Sequence, residues 1–392
     1  MKKTILAIAI PALFASAANA ATVYDKDGTK FDVYGRVHAA YQGEANGADL
    51  TKNTNGSNEY TYKKSDTTSK GEVYTYARTG MQGKVALNNT WSAIAQGEWE
   101  LTSENSKNKE DDSLKSRHVW AGFDGTQYGK FMFGQTDTAS KWGVQDRADI
   151  FEELGNVASV NDGRQEGQVI YRGEWNGAFF NASYISKNSK MDSFGTELLE
   201  SSLVQGGNPT SNDENKIGLE GGYAVGAGYN MANGFGFGVS MENKEFERGT
   251  YLGGTFNGTQ VTGATIDNLK SKDDWAIGTS YAFDAFYFGA MYNESKLKGF
   301  DNGQEIKAKG FELAGSYTID SWKLLAGYNK LDEKGTNVRG AAGTTNDVEI
   351  FDRVILGVEY AFTSNIKSYA NYAIESAGEK DDQWEFGMQY NF

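Results

Sequence analysis

Residues 384–392 read WEFGMQYNF. Trp384, Phe386, Met388, Tyr390 and Phe392 are large and apolar, and Glu385, Gly387, Gln389 and Asn391 lie between them. Side chains alternate across a strand, so this period puts the two sets on opposite sheet faces. The same alternation runs through Phe311, Leu313, Gly315, Tyr317 and Ile319. It recurs in Trp322, Leu324, Ala326 and Tyr328, and in Val354, Leu356, Val358, Tyr360 and Phe362. The composition of the opposite face carries the fold. It is dominated by Gly, Ala, Ser and charged residues, while the apolar face ends in Tyr, Phe or Trp near strand tips. A soluble sandwich, with its apolar face as core, accounts for one such strand. Many such strands fit better with an outward apolar band, aromatic girdles and a wet interior.

The rest of the chain agrees. There are 48 Gly, 22 Tyr and 22 Phe in 392 residues, but only two Pro, two His and no Cys. That composition suits many strands and tight turns. No linker or composition break divides the chain, so one large β unit is expected. The formal charge of −14 argues against nucleic acid as a partner. Beyond the N-terminus, no run of about 18 apolar residues offers a transmembrane helix. Barrel strands never show such a run. The first twenty residues read as an export signal: Lys2 and Lys3, an apolar stretch from Ile5 to Phe14, and Ala18-Asn19-Ala20 as the cleavage site. Removing them takes the charge to −16 and exports the chain across the bacterial inner membrane.

The connections alternate in length. Seven short ones run through Asn, Gly, Asp or Ser, as in LNNTWS, GEWNGAFF, TIDSWK and AFTSNIK. Between them lie polar stretches near 44–70, 104–114, 136–166, 188–215, 247–272, 298–308 and 332–348, with a shorter one near 377–382. Seven turns join fourteen strands and the two ends add one each. The expectation is a 16-stranded antiparallel transmembrane β-barrel with short periplasmic turns and long extracellular loops. The run from Phe31 to Ala39 should pair with the C-terminal strand, because lipid tolerates no open sheet edge.

Parity then assigns faces. Arg36 and His38 point inward on the first strand, and Tyr74, Tyr76 and Arg78 on the second. Trp120 and Gly122 are read as outward, which places Arg117 inside, and counting back from Val169 and Tyr171 places Arg164 inside. The stretch 147–156, RADIFEELGN, lies in the long segment 136–166 and is acidic and half-helical in its spacing. If that segment folds inward, Asp146, Asp149, Glu152 and Glu153 face the four arginines across a narrowing, and opposed charges there set a transverse field. Ile150, Phe151 and Leu154 would give it an apolar side to pack on the wall.

The pieces VYDKDGTKFDVYGR at 23–36, YTYARTGMQGK at 74–84, KSRHVWAGF at 115–123, YGKFMFGQ at 128–135 and the terminal QYNF resemble the Gram-negative trimeric general porins of the OmpC/OmpF type. The resemblance covers essentially the whole mature chain. It implies an inward-folded third loop whose acids, here Asp149 and Glu153, face a basic ladder carried by Arg78, Arg117 and Arg164. Arg36 falls where the family commonly has Lys. The family's loop tip, Pro-Glu-Phe-Gly-Gly, is replaced by Glu152-Glu153-Leu154-Gly155-Asn156. The resemblance also implies a homotrimer, with 104–114 as a candidate latch, set among outer-membrane lipids and lipopolysaccharide.

Other motifs carry less. The Gly-rich stretches at 221–230 and 234–238 lack the P-loop Lys-Ser/Thr and the full dinucleotide spacing, so strand glycines explain them. Two isolated His and no Cys make a metal site unexpected. Glu98 and Glu100 share a face and read as lumen carboxylates rather than a glycosidase pair. Asp25 and Asp27 before Gly28 read as a turn, and 196–204 as a helical turn on an external loop. The expected function is passive diffusion of ions and small hydrophilic solutes with mild cation preference, without cofactor or chemical step. A channel selective for sugars or oligosaccharides is the alternative, as is a secreted soluble β protein.

Overall fold

The computed structural model describes residues 20–44, 48–52, 59–64, 71–102, 114–160, 164–191, 205–207, 217–248, 251–253, 255–256, 259–260, 268–301, 303–336 and 345–392. The export segment before Ala20, the candidate latch before Leu114 and the stretch 196–204 lie outside the described residues.

Sixteen strands form one closed sheet: β1 Thr29–Glu44, β2 Glu72–Ala86, β3 Ser92–Thr102, β4 Leu114–Asp124, β5 Lys130–Asp137, β6 Arg164–Trp175, β7 Ala178–Ile185 and β8 Ile217–Asn230. They continue as β9 Phe235–Phe246, β10 Leu269–Phe283, β11 Phe286–Gly299, β12 Glu305–Ile319, β13 Trp322–Thr336, β14 Thr345–Ala361, β15 Ile366–Glu375 and β16 Gln383–Asn391. Each pairs antiparallel with its sequence neighbours. The sheet closes where β1 meets β16, from Arg36 opposite Asn391 to Glu44 opposite Gln383. Gly35 and Phe392 exchange backbone hydrogen bonds of 2.8 and 3.0 Å at the seam. The N-terminal strand Ala21–Lys26 turns back through Asp27-Gly28 and pairs with β1 just past the end of β16, Ala21 opposite Val33. Asp27 and Gly28 have φ of 53° and 76°, the left-handed pair that a two-residue hairpin turn demands.

The seven short connections lie at one end of the barrel and the long ones at the other. Asn176 and Gly177, at φ 48° and 89°, make the β6–β7 turn. Asp284 and Asp320, at φ 53° and 51°, begin two others, so the turn formers in the sequence meet their backbone need. At the long-loop end, residues 48–52 pair antiparallel with 60–64, and Glu59 and Tyr60 run parallel to Asp347 and Val348 of β14. Lys63 pairs with Glu379 at 2.7 Å beside it.

The outward face is apolar and exposed: Leu356 is 52% and Phe386 61% accessible. Aromatic pairs belt the short-turn end, with Phe286–Tyr317 and Trp322–Tyr360 centroids each 4.6 Å apart, and Trp275–Tyr292 at 5.4 Å lies toward the other. The inward face carries Ser, Asn, Gly and charged residues. One face assignment fails. Trp120 points inward, donating to Gln96 at 3.1 Å, and it is Val119 and Phe123 that are exposed outside. Between β3 and β4 the register slips at Glu98/Trp99, so Arg117 is an extra residue between His118 and Ser116. That β-bulge re-aims Arg117 inward although its parity is that of the outward set.

The sharp division of faces yields a first expectation. Leu356→Arg, on the lipid face of β14, destabilises the folded barrel by about 2–4 kcal/mol if the residue sits near the bilayer midplane. Urea titration of reconstituted protein, read by heat-modifiable gel mobility, measures the loss.

Candidate functional site

Residues 138–160, between β5 and β6, fold into the barrel and lie along its inner wall. The loop's apolar side chains find lumen-facing partners: Phe151 and Leu154 pack with Leu325, Ile355 and Ala373. Ala148 packs with Met291 and Ala314, Val144 with Phe179 and Ala276, and Trp142 with Met132 and Ile170. The inward apolar residues on β11–β15 are thus a docking strip. The half-helical spacing of 147–156 does not become an α-helix. One 3-10 turn spans Gln145–Arg147, bends follow, and Asn156 adopts φ 58°. Docking on the wall, rather than local propensity, sets the backbone here.

An irregular backbone at membrane depth needs partners for its N–H and C=O groups. Wall side chains supply them. Asn181 donates to Trp142 O at 3.2 Å, and Tyr287 to Arg147 O at 2.7 Å. Lys272 donates to Val160 O and Asn293 to Ala158 O, each at 3.0 Å, and Arg353 donates to Leu154 O. In the other direction Ser183 accepts from Ala139 N, Glu312 from Ala158 N and Asn293 from Val160 N. Both roots of the loop meet a buried charge cluster on β9 and β10. There Lys244 pairs with Glu242 at 2.9 Å and Lys272 with Asp274, while Thr138 and Ser140 donate to Glu242 at 2.6 and 2.8 Å. Arg147 is wholly buried and donates to Gly143 O, Ser280 Oγ and Asn230 Oδ1 at 2.6, 2.6 and 2.9 Å.

The tip reaches β15, β16, β1 and β2. Glu152 turns to the wall, where Lys367 and Gln389 donate to it and Arg36 stands 3.6 Å away. Burial opposes its charge, but Lys367 and Arg36 hold the carboxyl down at about 2. Glu153 turns the other way and keeps a third of its side chain accessible. It accepts from Tyr76 OH at 3.1 Å and has His38 Nδ1 at 3.7 Å. Desolvation, with Glu385 adding repulsion, pushes its carboxyl up to about 7. Beneath the tip His38, Tyr74, Tyr76, Tyr369 and Glu385 are packed together: His38 bonds Tyr369 OH at 2.7 Å and Tyr74 donates to Glu385 at 3.0 Å.

The remaining lumen is bounded by β2–β6. Arg78 pairs with Glu100 at 2.6 Å, and Arg117 pairs with Glu98 at 2.9 Å and Glu100 at 3.1 Å. Arg164 stands close enough to act electrostatically on Arg117 and Glu100. The structure therefore brings Arg78, Arg117 and Arg164 together on one wall, and Arg36 and Glu152 together at the loop tip. Asp149 is half-buried in the loop, and burial raises its carboxyl. Asp146 is buried behind the loop beside Arg147, away from the aperture, and burial pushes its carboxyl up to about 6. Parity alone did not single out Lys367, Gln389 or Glu385, though each lies inward on an alternating strand. Nor did it connect Glu98 and Glu100, on the strand between Arg78 and Arg117, with neutralising those arginines.

A closed barrel with an apolar exterior and a polar lumen partly filled by its own loop is a membrane pore. The chain belongs to the Gram-negative porin family, whose profile matches residues 6–392. It is 29% identical to the outer membrane porin protein OmpD of Citrobacter koseri, over 95% of this chain and 92% of that one. It is 26% identical to outer membrane porin N of Escherichia coli, over 97% and 94% of the two chains. Among solved structures it resembles Salmonella typhi OmpF in complex with daunomycin, with a TM-score of 0.68, 18% identity and coverage of 95% and 100%. Vibrio cholerae OmpT lacking its eighth loop gives a TM-score of 0.63 at 19% identity, covering 93% and 100%. The protein is an outer-membrane general porin: ions and small hydrophilic solutes cross it passively, with no chemical step.

The anchoring network makes a prediction. Arg147→Ala removes four hydrogen bonds from a charged donor, the three short ones each worth about 1.5–3 kcal/mol before relaxation and the fourth, to Phe237 O at 3.4 Å, less. Proteolytic cutting within 138–160 speeds up several-fold while the barrel keeps its gel mobility.

Proposed function

We propose that the loop from 136 to 166 is the constriction of the pore, with Glu153 and Asp149 as its acidic edge and Arg78, Arg117 and Arg164 as its basic edge. The observation that carries this reading is the opposite turning of Glu152 and Glu153. Glu152 is spent on holding the tip to Arg36, Lys367 and Gln389. Its neighbour is thereby turned toward the lumen, where it adds negative charge to the passage. Across the opening the arginines are offset by Glu98 and Glu100, so the basic edge is weaker than its residue count. A field across a passage with low-dielectric walls sorts ions by sign and polar solutes by dipole. With the basic edge partly neutralised, a mild preference for cations follows. The inward Tyr34, Tyr76 and Tyr369 are buried rather than presented as a slide, which favours a general passage over a sugar-selective one.

The same reading takes residues 1–20 as a cleaved export signal and the rest as one barrel. It takes the assembly as a homotrimer among outer-membrane lipids and lipopolysaccharide. The outward residues Val73, Thr75, Ala77 and Thr79 of β2, mostly small, suit a neighbouring subunit.

The zero-current potential of reconstituted protein in a KCl gradient tests the constriction. Glu153→Gln moves the potential toward anions and Arg78→Ala toward cations; no movement in either removes the eyelet from these residues. The wild-type preference also depends on pH. A carboxyl held near 7 is mostly ionised at pH 8 and mostly protonated at pH 6. Cation preference therefore weakens on acidification across that window. Glu153→Gln, which has no proton to gain there, flattens the dependence.

A further inference from the structure

The lumen face of β8–β12 carries one feature that charge and hydrophobicity do not explain. Gly226, Gly238, Gly278, Gly289 and Gly310 sit on five successive strands, each pointing inward, with Gly238 and Gly278 directly paired. A Cβ on each would stand 2.4, 2.6, 2.1, 1.9 and 1.8 Å from the carbonyl oxygens of Ala139, Gly143, Val144, Arg147 and Ala158 respectively. All five oxygens belong to the internal loop. On β13, a Cβ at Gly327 would meet the Phe151 ring at 2.6 Å.

Glycine inside a strand weakens it and marks a place where another backbone approaches. Here the approach repeats strand after strand along one path. We propose that this row of lumen-facing glycines is a seat that sets how far the internal loop stands off the wall, and so sets the size limit of the pore. The proposal rests on the loop being the constriction and deepens that reading.

The reason is geometric. Carbon and oxygen atoms do not approach closer than about 3 Å without strain, because repulsion rises steeply inside van der Waals contact. A single methyl group on Gly289 or Gly310 therefore demands about 1 Å of movement. The strands are hydrogen-bonded on both sides in a closed sheet and yield little. The loop is held mainly by side chains and has open lumen on its far side, so the loop gives way. Polar inward residues elsewhere on these strands, such as Lys272 and Asn293, donate hydrogen bonds to the loop beside the bare positions. The wall thus offers donors where the loop needs partners and no side chain where its backbone must touch. A lumen-facing alanine would keep the interior wet and the strand regular but would lift the loop.

Gly289→Ala, Gly310→Ala and the double substitution test the seat. The comparison is Gly315→Ala, whose Cβ faces outward with its nearest neighbour at 3.4 Å. Assembly is checked by heat-modifiable mobility. Single-channel conductance and the swelling of liposomes in sugars of increasing size are then measured. The seat predicts a conductance lower by roughly a quarter for each single variant, and more for the double, because a loop moved into a narrow passage takes cross-section from it. It also predicts a smaller sugar cut-off, with Gly315→Ala behaving as wild type. A variant that does not assemble is replaced by Gly327→Ala, whose Cβ meets the edge of the loop's Phe151 ring at 2.6 Å and the Leu313 carbonyl oxygen less closely, at 3.3 Å, and which changes conductance in the same direction. Assembled variants with unchanged or raised conductance and an unchanged cut-off overturn the seat. Glu153→Gln separates the two ideas. If it shifts the potential while the glycine variants change nothing, the constriction stands and the seat fails; if it shifts nothing, the constriction reading itself fails.

Discussion

Every backbone N–H and C=O at membrane depth must find a partner, in the protein or in the lumen's water, because lipid supplies none. The rest of this structure depends on that constraint. For the sixteen strands the partner is the neighbouring strand, and the obligation leaves no edge free. Phe392 and Gly35 therefore bond across the seam, and the N-terminal strand continues along β1 where β16 ends. For the internal loop no strand partner exists. Its obligation falls on side chains of the wall, from Asn181 on β7 to Arg353 on β14.

This second solution gives the pore its shape. A loop tied by many side-chain bonds along half the circumference is placed by the wall, not by its own propensity. Its apolar residues settle on a strip of inward Leu, Ile, Met and Ala, and its roots on the buried cluster of Glu242, Lys244, Lys272 and Asp274. At its tip two adjacent glutamates divide the labour. Glu152 takes the nearest cations of the wall, and Glu153 is left beside Tyr76 and His38 with the Glu385 carboxylate close by, in a place where charge is costly. The contrast between a carboxyl near 2 and one near 7 follows from that division.

The barrel was largely legible in the sequence. Alternation at WEFGMQYNF and its repeats, with turn formers such as Asn176-Gly177 and Asp320, specified strand number, connection pattern and closure. Parity placed Arg36, His38, Tyr74, Tyr76 and Arg78 inside. It misplaced Trp120 by taking the tryptophan rather than Val119 and Phe123 as the outward set, and Arg117 still comes out inward because the bulge there reverses its parity, which leaves no mark in hydrophobic period. A second irregularity, at Gly167 with φ 65°, interrupts the count toward Arg164. The glycines of β8–β12 were visible as letters but not as a row. Their common feature is contact with one loop, remote in sequence.

The sequence by itself determined the class of fold, because period-two alternation and turn chemistry act between residues a few positions apart. It also placed a set of charges on the inner face. Only the tertiary structure decided which of those charges meet. The pairing of Glu152 with Lys367 spans 215 positions and that of Arg78 with Glu100 spans 22. The burial of Asp146 behind its own loop was likewise decided there. Electrostatic partnership depends on distance in space, and in a closed barrel that distance is set by strand register and by where the internal loop comes to rest.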